Sequence, residues 1–173
     1  MKIAVITPTK PNRAQLLEEC RASVREQTRA ADTHAVAIDG TLEGPSAVRN
    51  RLILELPPEY DWVAFLDDDD VMLPDHLKVL SSASEGADVI YSLCQIECNT
   101  REFDPEAIKQ SNYIPVTALV RRSIFNRVGG FSDVPLEDWV LWQKISDAGG
   151  RFKFVPKVTW TYRVQSDSRN FVK

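Results

Sequence analysis

The sequence predicts an α/β fold, in which helices flank a doubly wound, mixed sheet within a minimal single domain. Short apolar runs of strand length alternate with segments of helical periodicity between residues 2 and 96. This alternation is typical of strands joined by right-handed helical crossovers. A length of 173 residues with 43% apolar and 27% charged content fits one globular domain with its own core.

Proline and glycine mark the boundaries of the predicted elements. Pro8 ends the first strand, Pro74 starts the third helix, and glycine pairs end the last two helices. Residues 99–112 are polar and predict a loop. The predicted strands are 2–7, 33–38, 62–66, 87–96, 115–120, 152–155 and 158–163, and the predicted helices are 12–27, 44–56, 74–84, 123–128 and 136–148.

Four adjacent carboxylates, residues 67–70, directly follow the third strand. Ligands of open α/β sheets bind beyond the carboxyl ends of the strands. Because side chains two apart on an extended chain point the same way, Asp67 and Asp69 are expected to converge. Such crowding favours a hard divalent cation, Mn²⁺ or Mg²⁺, shared with substrate phosphates. The alternative is an acidic surface turn before the helix that Pro74 starts.

A second acidic pair, Glu137 and Asp138, opens the helix predicted at 136–148. Apolar residues occupy nearly the whole circumference of this helix, which indicates a buried helix. Asp138 falls among apolar neighbours, and burial raises the pKa of a carboxylate and makes it a better base. The alternative is a pair of first-turn acids that complement the helix dipole.

Composition narrows the class of protein. A net charge of −4 argues against a broad nucleic-acid-binding surface. Three cysteines do not suggest a disulfide framework, which fits a reducing, cytoplasmic compartment. We expect no signal peptide, because the sequence begins at once with a strand pattern. We expect no transmembrane segment, because no run approaches the roughly 20 apolar residues of a membrane span.

Several short segments resemble, in order, the motifs of one known family. These segments are 6–9 with 12–13, Asp39, 47–50, 65–70, 125–131, 137–142 and 162–168. Together they resemble the inverting glycosyltransferases of family 2, which have the GT-A fold. The resemblance implies transfer of a sugar from a nucleotide-diphosphate donor, with a UDP-sugar favoured. The acceptor hydroxyl belongs to a saccharide, a lipid-linked carrier, a protein or a modified nucleobase.

The resemblance also implies roles for individual residues. Residues 1–98 form the nucleotide-binding half and residues 99–173 the acceptor and catalytic half. Asp138 is the catalytic base, and Asp69 holds the metal with help from Asp67. For Arg49, which the resemblance places near phosphate, a solvated helix arginine is the alternative. The donor is bound by Thr7, Pro8, Thr9, Asp39, Arg49, Asn50, Asp67 and Asp68, and Glu137, Trp139, Arg163 and Gln165 complete the acceptor side and the closing loop.

The chain departs from the family pattern in three places. Lys10-Pro11 replaces a single aromatic residue in the first loop. Only about ten residues separate Asp39 from Arg49, so one strand of the family is expected to be missing. Gln165 stands where many relatives carry a metal-binding histidine.

Two other interpretations remain open at the level of sequence. A haloacid-dehalogenase-like phosphatase also has a strand ending in Asp-x-Asp-x-Val, with Asp67 as its nucleophile. It would need a lysine and an acidic pair at the ends of later strands, whereas the later acids of this chain open a helix. A degenerate transferase that binds sugar nucleotides without catalysis is the other.

Overall fold

A computed structural model describes residues 1–40, 42–96 and 98–163 of the chain. In this part, one mixed sheet is flanked by helices on both faces. The strands are β1 (Ile3–Thr9), β2 (Thr33–Ile38), β3 (Trp62–Phe65), β4 (Val71–Met72), β5 (Val89–Cys94), β6 (Leu119–Arg121) and β7 (Phe152–Thr161). The helices are α1 (Ala14–Arg25), α2 (Pro45–Glu55), α3 (His76–Ser82), α4 (Arg122–Arg127) and α5 (Glu137–Asp147), with a 3₁₀ helix at Ala107–Lys109.

The sheet has the strand order β2-β1-β3-β6-β5-β7-β4. Strand β1 runs parallel to β2 and β3, and β5 runs parallel to β7. Strand β6 is antiparallel to both of its neighbours, and β4 is antiparallel to β7. The predicted mixed α/β sheet is therefore confirmed.

Alternate residues of the central strands supply two cores, one on each face of the sheet. Ile6 and Phe65 pack into the larger cluster, which also receives side chains from α2, α4 and α5. Val5 and Ala64 point to the opposite face and pack with apolar residues of α1 and α3. Because both faces are covered, these strands are apolar throughout, as the sequence predicted.

The first strand was expected to end at Pro8, and residues 152–155 and 158–163 were expected to form separate strands. Pro8 and Pro156 instead both lie inside a continuous strand. Strand β1 continues through Pro8 to Thr9. The pairing of β1 with β3 ends at Ile6 and Phe65, so the missing N–H of Pro8 costs no bond on that side. Strand β7 likewise passes through Pro156, where its register with β5 shifts between Ser92 and Leu93.

Other predicted boundaries move by a few residues. Helix α1 covers Ala14–Arg25 rather than 12–27, and Pro74 lies in a turn before α3 begins at His76. Strand β4, of two residues, was not predicted because it is too short to show a period. Within the described ranges, no helix has both the length and the apolar character needed to cross a membrane.

Candidate active site

A cavity of about 1040 Å³ opens at the edge of the sheet where the parallel strands β1, β2 and β3 end. Thr9 and Asp39 line it at the ends of β1 and β2, and residues 67–70 line it directly after β3. Glu137 and Asp138 reach the same cavity from the start of α5. The acidic run at residues 67–70 and the acidic pair Glu137–Asp138, which are far apart in the sequence, therefore share one cavity.

The four carboxylates form a turn between β3 and β4, with the N–H of Asp70 donating to the carbonyl of Asp67 at 3.0 Å. One carboxylate oxygen each from Asp67, Asp69 and Asp70 lies within 4.8 Å of the other two. The predicted convergence of Asp67 and Asp69 is therefore present. The turn also brings in Asp70, which the extended-strand argument missed.

Asp68 lies outside this group of three carboxylates. Its carboxylate accepts from the hydroxyl of Thr9 at 2.6 Å and from Nη1 of Arg13 at 2.8 Å. The same Nη1 donates to Asp69 Oδ2 at 2.9 Å. Arg13 therefore links the start of α1 to two of the four acids, and Thr9 ties the end of β1 to the same turn.

Arg49 is the buried cation of the site, with its side chain only 2% exposed. Its guanidinium forms an ion pair with Asp67 and another with Glu137, the latter at 3.1 Å. It also lies 5.1 Å from the ring centroid of Phe131. Burial lowers its pKa, but the charges of Asp67 and Glu137 outweigh burial and raise the pKa above its usual value. Arg49 is thus no solvated helix arginine, and it joins the acidic turn to α5.

Two acids of the turn have raised pKa values. Burial and the charge of Asp67 raise the pKa of Asp69. Burial and the same charge raise the pKa of Asp70 to about 8. Converging oxygen ligands with raised pKa values suit a hard divalent cation, which would favour their charged forms. The residues present therefore fit a Mn²⁺ or Mg²⁺ site formed by Asp67, Asp69 and Asp70.

Asp138 lies in the first turn of α5 with a neutral partner. Asn112 Nδ2 donates to Asp138 Oδ2 at 3.0 Å, and the backbone N–H of Trp139 donates to Oδ1 at 2.9 Å. Burial raises the pKa of Asp138, and the bond from Asn112 partly opposes that shift. The predicted environment of a base, a carboxylate with a raised pKa at a cavity wall, is present.

The predicted donor-binding residues fall into two groups. Pro8, Thr9, Asp39, Arg49, Asp67 and Asp68 line the cavity, whereas Thr7 and Asn50 lie outside its lining. The hydroxyl of Thr7 is buried and lies 2.9 Å from His34 Nε2. Asn50 makes two hydrogen bonds to the backbone of Phe131, at 2.9 and 3.0 Å. The carboxylate of Asp39 accepts from the N–H groups of Glu43 at 2.8 Å and Gly44 at 3.0 Å, and so holds the entry to α2.

The remaining predicted residues brace the site. Trp139 Nε1 donates to the carbonyl of Ile108 at 2.6 Å, and Trp139 lies outside the cavity lining. Arg163 donates to the carbonyl of Asp69 and pairs with Glu19 of α1. Gln165 lies outside the described residues. Trp142, assigned to the core from sequence, is fully buried.

Asp70, Arg13 and Asn112 are the site residues that sequence reasoning left without a role. Asp70 belongs to the acidic run, but alternation on an extended chain excludes it. Arg13 stands in a motif that the resemblance matched, and only the structure shows its contact with Asp68 and Asp69. Asn112 lies in a polar stretch with no periodic signal.

The fold is that of GT-A glycosyltransferases. TarS of S. aureus matches 95% of this chain with a TM-score of 0.74 and 18% identity. The mannosyltransferase PcManGT from Pyrobaculum calidifontis, in complex with GDP-Man and Mn²⁺, matches 96% with a TM-score of 0.69 and 19% identity. The catalytic domain of Drosophila beta1,4-galactosyltransferase 7, in complex with xylobiose, matches 91% with a TM-score of 0.65 and 20% identity.

At these identities the likeness establishes the fold. The chain spans 37% of the TarS chain and 58% of the PcManGT chain. No model of a known protein family matches the sequence, and no curated protein matches it. The GT-A fold also excludes the haloacid-dehalogenase-like interpretation of the Asp-x-Asp strand.

Proposed function

We propose that the chain is a metal-dependent, inverting glycosyltransferase of the family 2 type. It transfers a sugar from a nucleotide-diphosphate donor to an acceptor hydroxyl in the cytoplasm. Residues 1–98 bind the nucleotide, and residues 99–173 bind the acceptor and supply the base. The observation that carries this proposal is the meeting of the acidic turn and Asp138 in one cavity at the edge of a GT-A sheet.

The donor end of the cavity lies beside the acidic turn. Asp69 and Asp67 would hold the metal, with Asp70 as a third carboxylate. When bound, Mn²⁺ or Mg²⁺ supplies Lewis-acid stabilisation of the diphosphate leaving group. Asp39 and Asp68 offer carboxylate oxygens to the nucleoside, with Pro8 and Thr9 beside them. Thr7 and Asn50 lie outside the cavity lining, and they support the donor end through their contacts with His34 and Phe131.

The catalytic end lies at the start of α5. Asp138 accepts the proton of the acceptor hydroxyl as the hydroxyl oxygen attacks the anomeric carbon. The bond from that carbon to the diphosphate breaks on the opposite side, so one displacement inverts the anomeric centre. Arg49 connects Asp67 to Glu137 and so fixes the base relative to the donor. We assign Arg163 and Gln165 to the closing loop and Trp139 to the acceptor side, as the resemblance to family 2 implies.

Structural relatives support a sugar nucleotide as the donor. TarS was solved with UDP and with UDP-GlcNAc, and the mannosyltransferase with GDP-Man and Mn²⁺. For this chain we propose a UDP-sugar. Its acceptor is a hydroxyl of a saccharide, a lipid-linked carrier, a protein or a modified nucleobase.

Donor binding tests the proposal directly. Calorimetric titration with UDP- and GDP-sugars, each with Mn²⁺ or Mg²⁺, should give metal-dependent binding by the wild-type protein. Asp69→Ala should abolish that binding with the fold intact, whereas Glu85→Ala, at an exposed acid outside the cavity lining, should not change it. No metal-dependent binding of any donor would contradict the donor assignment. Binding without transfer or hydrolysis would contradict the enzymatic activity.

A further inference from the structure

The segment that precedes β6 is fastened to α5 on both sides of Asn112. Trp139 Nε1 donates to the carbonyl of Ile108 at 2.6 Å, and Gln143 Nε2 donates to the same oxygen at 3.3 Å. Trp142 Nε1 donates to the carbonyl of Ile114 at 2.9 Å. Two indoles of one helix therefore hold the backbone four residues before and two residues after Asn112, which fixes Asn112 relative to α5.

The side-chain amide of Asn112 is turned towards Asp138. Its Nδ2 donates to Asp138 Oδ2 at 3.0 Å, while its Oδ1 is buried with no hydrogen-bond partner among the described residues. The opposite orientation of the amide would place Oδ1 against the carboxylate, which is repulsive. A buried carbonyl oxygen without a partner costs stability. The amide thus keeps its contact with Asp138 through Nδ2, although this leaves its oxygen Oδ1 without a partner among the described residues.

We propose that Asn112 is a positioning residue that holds the Asp138 carboxylate in the orientation needed to accept the proton of the acceptor hydroxyl. This inference rests on the proposed function, in which Asp138 is the base. Asn112 donates to one carboxylate oxygen and the N–H of Trp139 donates to the other, so both oxygens of Asp138 are oriented. Remaining lone pairs of the carboxylate serve the incoming hydroxyl.

The charge of Asp138 depends on the same contact. Burial raises the pKa of Asp138, and the charge of Glu137 raises it further. The bonds from Asn112 and from the N–H of Trp139 lower the pKa, as does the charge of Arg49. A base works only when deprotonated, so activity falls as pH decreases through this pKa. Removing the bond from Asn112 should therefore move the acidic limb of the pH–rate profile to higher pH.

Two substitutions and one control separate positioning from general structure. Asn112→Leu removes the donor at similar size. Asn112→Asp keeps the shape and replaces the donor by a second carboxyl group, which should share a proton with Asp138. Asn126→Leu is the control, because Asn126 is exposed on α4 and lies outside the cavity lining.

Two readouts follow the same carboxylate. Carbon-13 NMR of aspartate-labelled protein, with the Asp138 signal assigned by Asp138→Asn, gives the pKa without requiring activity. The pH dependence of kcat gives the acidic limb. Asn112→Leu should raise the pKa of Asp138 and the midpoint of the acidic limb by about one pH unit each, the size of one hydrogen bond to a charged group. Asn112→Asp should raise both further and recover activity at alkaline pH, with donor Kd unchanged, and Asn126→Leu should match wild type.

The outcomes are distinguishable. If neither readout moves in Asn112→Leu or Asn112→Asp, the contact does not act on Asp138 and the inference is wrong. If the NMR titration moves and the acidic limb of kcat does not, the contact sets the charge of Asp138 without affecting proton transfer, and the positioning role is wrong. If the wild-type protein transfers no sugar from any donor, the proposed function fails, while the NMR titration still decides whether the contact sets the charge of Asp138. Should Asn112→Leu unfold, the isosteric Asn112→Asp carries the test.

Discussion

The acidic turn and the first turn of α5 face one cavity, but they hold their carboxylates in different ways. In the turn, guanidinium groups pair with three of the four acids, with Arg13 on Asp68 and Asp69 and Arg49 on Asp67. Asp138 instead receives hydrogen bonds from a neutral amide and a backbone N–H. Carboxylates whose charged forms are favoured by neighbouring arginines suit a site that binds a cation. A carboxylate that is held by neutral donors can gain and lose a proton. The two regions therefore suit the two halves of a transfer reaction.

Asp138→Asn tests the proton-transfer side of this comparison and should have the largest effect. The substitution keeps the shape and removes the basicity, so kcat should fall by about 10² or more, the usual contribution of general-base catalysis. Donor affinity should change little, because the acidic turn is untouched. Steady-state kinetics and calorimetry measure the two quantities. Asp147→Asn, at an exposed acid near the end of the same helix, is the control. A fully active Asp138→Asn variant would show that another group is the base.

Arg49→Met tests whether the two regions depend on a shared cation. The substitution leaves Asp67 and Glu137 without their common buried partner, which should reduce the free energy of unfolding by about 3 kcal/mol. Arg51→Met on the same helix removes an exposed pair with Glu43, so it should lower the free energy of unfolding far less. Urea unfolding measures both variants. Equal losses would contradict a special role for the buried pair.

Gly130→Ala tests the packing around Asn50 and Phe131, beside the arginine that connects the two regions. Gly130 has φ +65°, and a Cβ there would lie 2.6 Å from Asn50 Oδ1, the group that binds Phe131 next to Arg49. We expect a loss of about 2 kcal/mol from backbone conformation and overlap together. Gly149→Ala has a similar φ of +73° but open space around it, so it should cost about 1 kcal/mol. Thermal unfolding compares the two variants. Identical losses would show that the Asn50 side chain moves aside at no measurable cost.

Arg13→Gln should have the smallest effect, and it tests the charge-binding side. Nη1 of Arg13 occupies Asp69 Oδ2, so the guanidinium competes with a cation for this oxygen. Without it, Mn²⁺ should bind about fivefold tighter in the absence of nucleotide, since one charge interaction at about 4 Å is worth about 1 kcal/mol where water screens it fully. Electron paramagnetic resonance measures free Mn²⁺. Arg25→Gln, an exposed pair on the same helix, is the control. Weaker binding by Arg13→Gln would show that Arg13 instead holds the Asp69 carboxylate in place for the cation.

The sequence was sufficient for the parts of the fold that repeat with a period. Apart from β4 and the continuous β7, the succession of strands and helices along the chain follows from apolar spacing, as do the buried strand β3 and the buried Trp142. The place of residues 67–70 beyond the end of β3 follows from the same patterns, whereas the mixed pairing of the strands was implied by the family resemblance.

Long-range pairing was beyond the sequence. The alternative of a solvated helix arginine for Arg49 rested on its neighbours along α2, and its partners lie 18 and 88 residues away. Asn112 reaches Asp138 across 26 residues from a loop with no pattern. Pro8 and Pro156 stay within strands because of where the neighbouring strands end or shift, which is a property of the assembled sheet.

The contact of Arg163 with the acidic turn has a consequence for the order of folding. Its guanidinium binds the carbonyl of Asp69 and its backbone N–H donates to Asp70 at 3.2 Å, across 94 and 93 residues of chain. Strand β4, which follows the turn, likewise pairs only with β7 among the described strands. Closing so long a loop is entropically costly and therefore late. During synthesis, β1, β2 and β3 can assemble while residues 67–70 still lack these partners. Asp69 and Asp70 thus gain these two contacts only after β7 has docked, whereas Asp67 and Asp68 have partners within the first 70 residues. We expect the site to be completed as one of the last events in the maturation of the sheet.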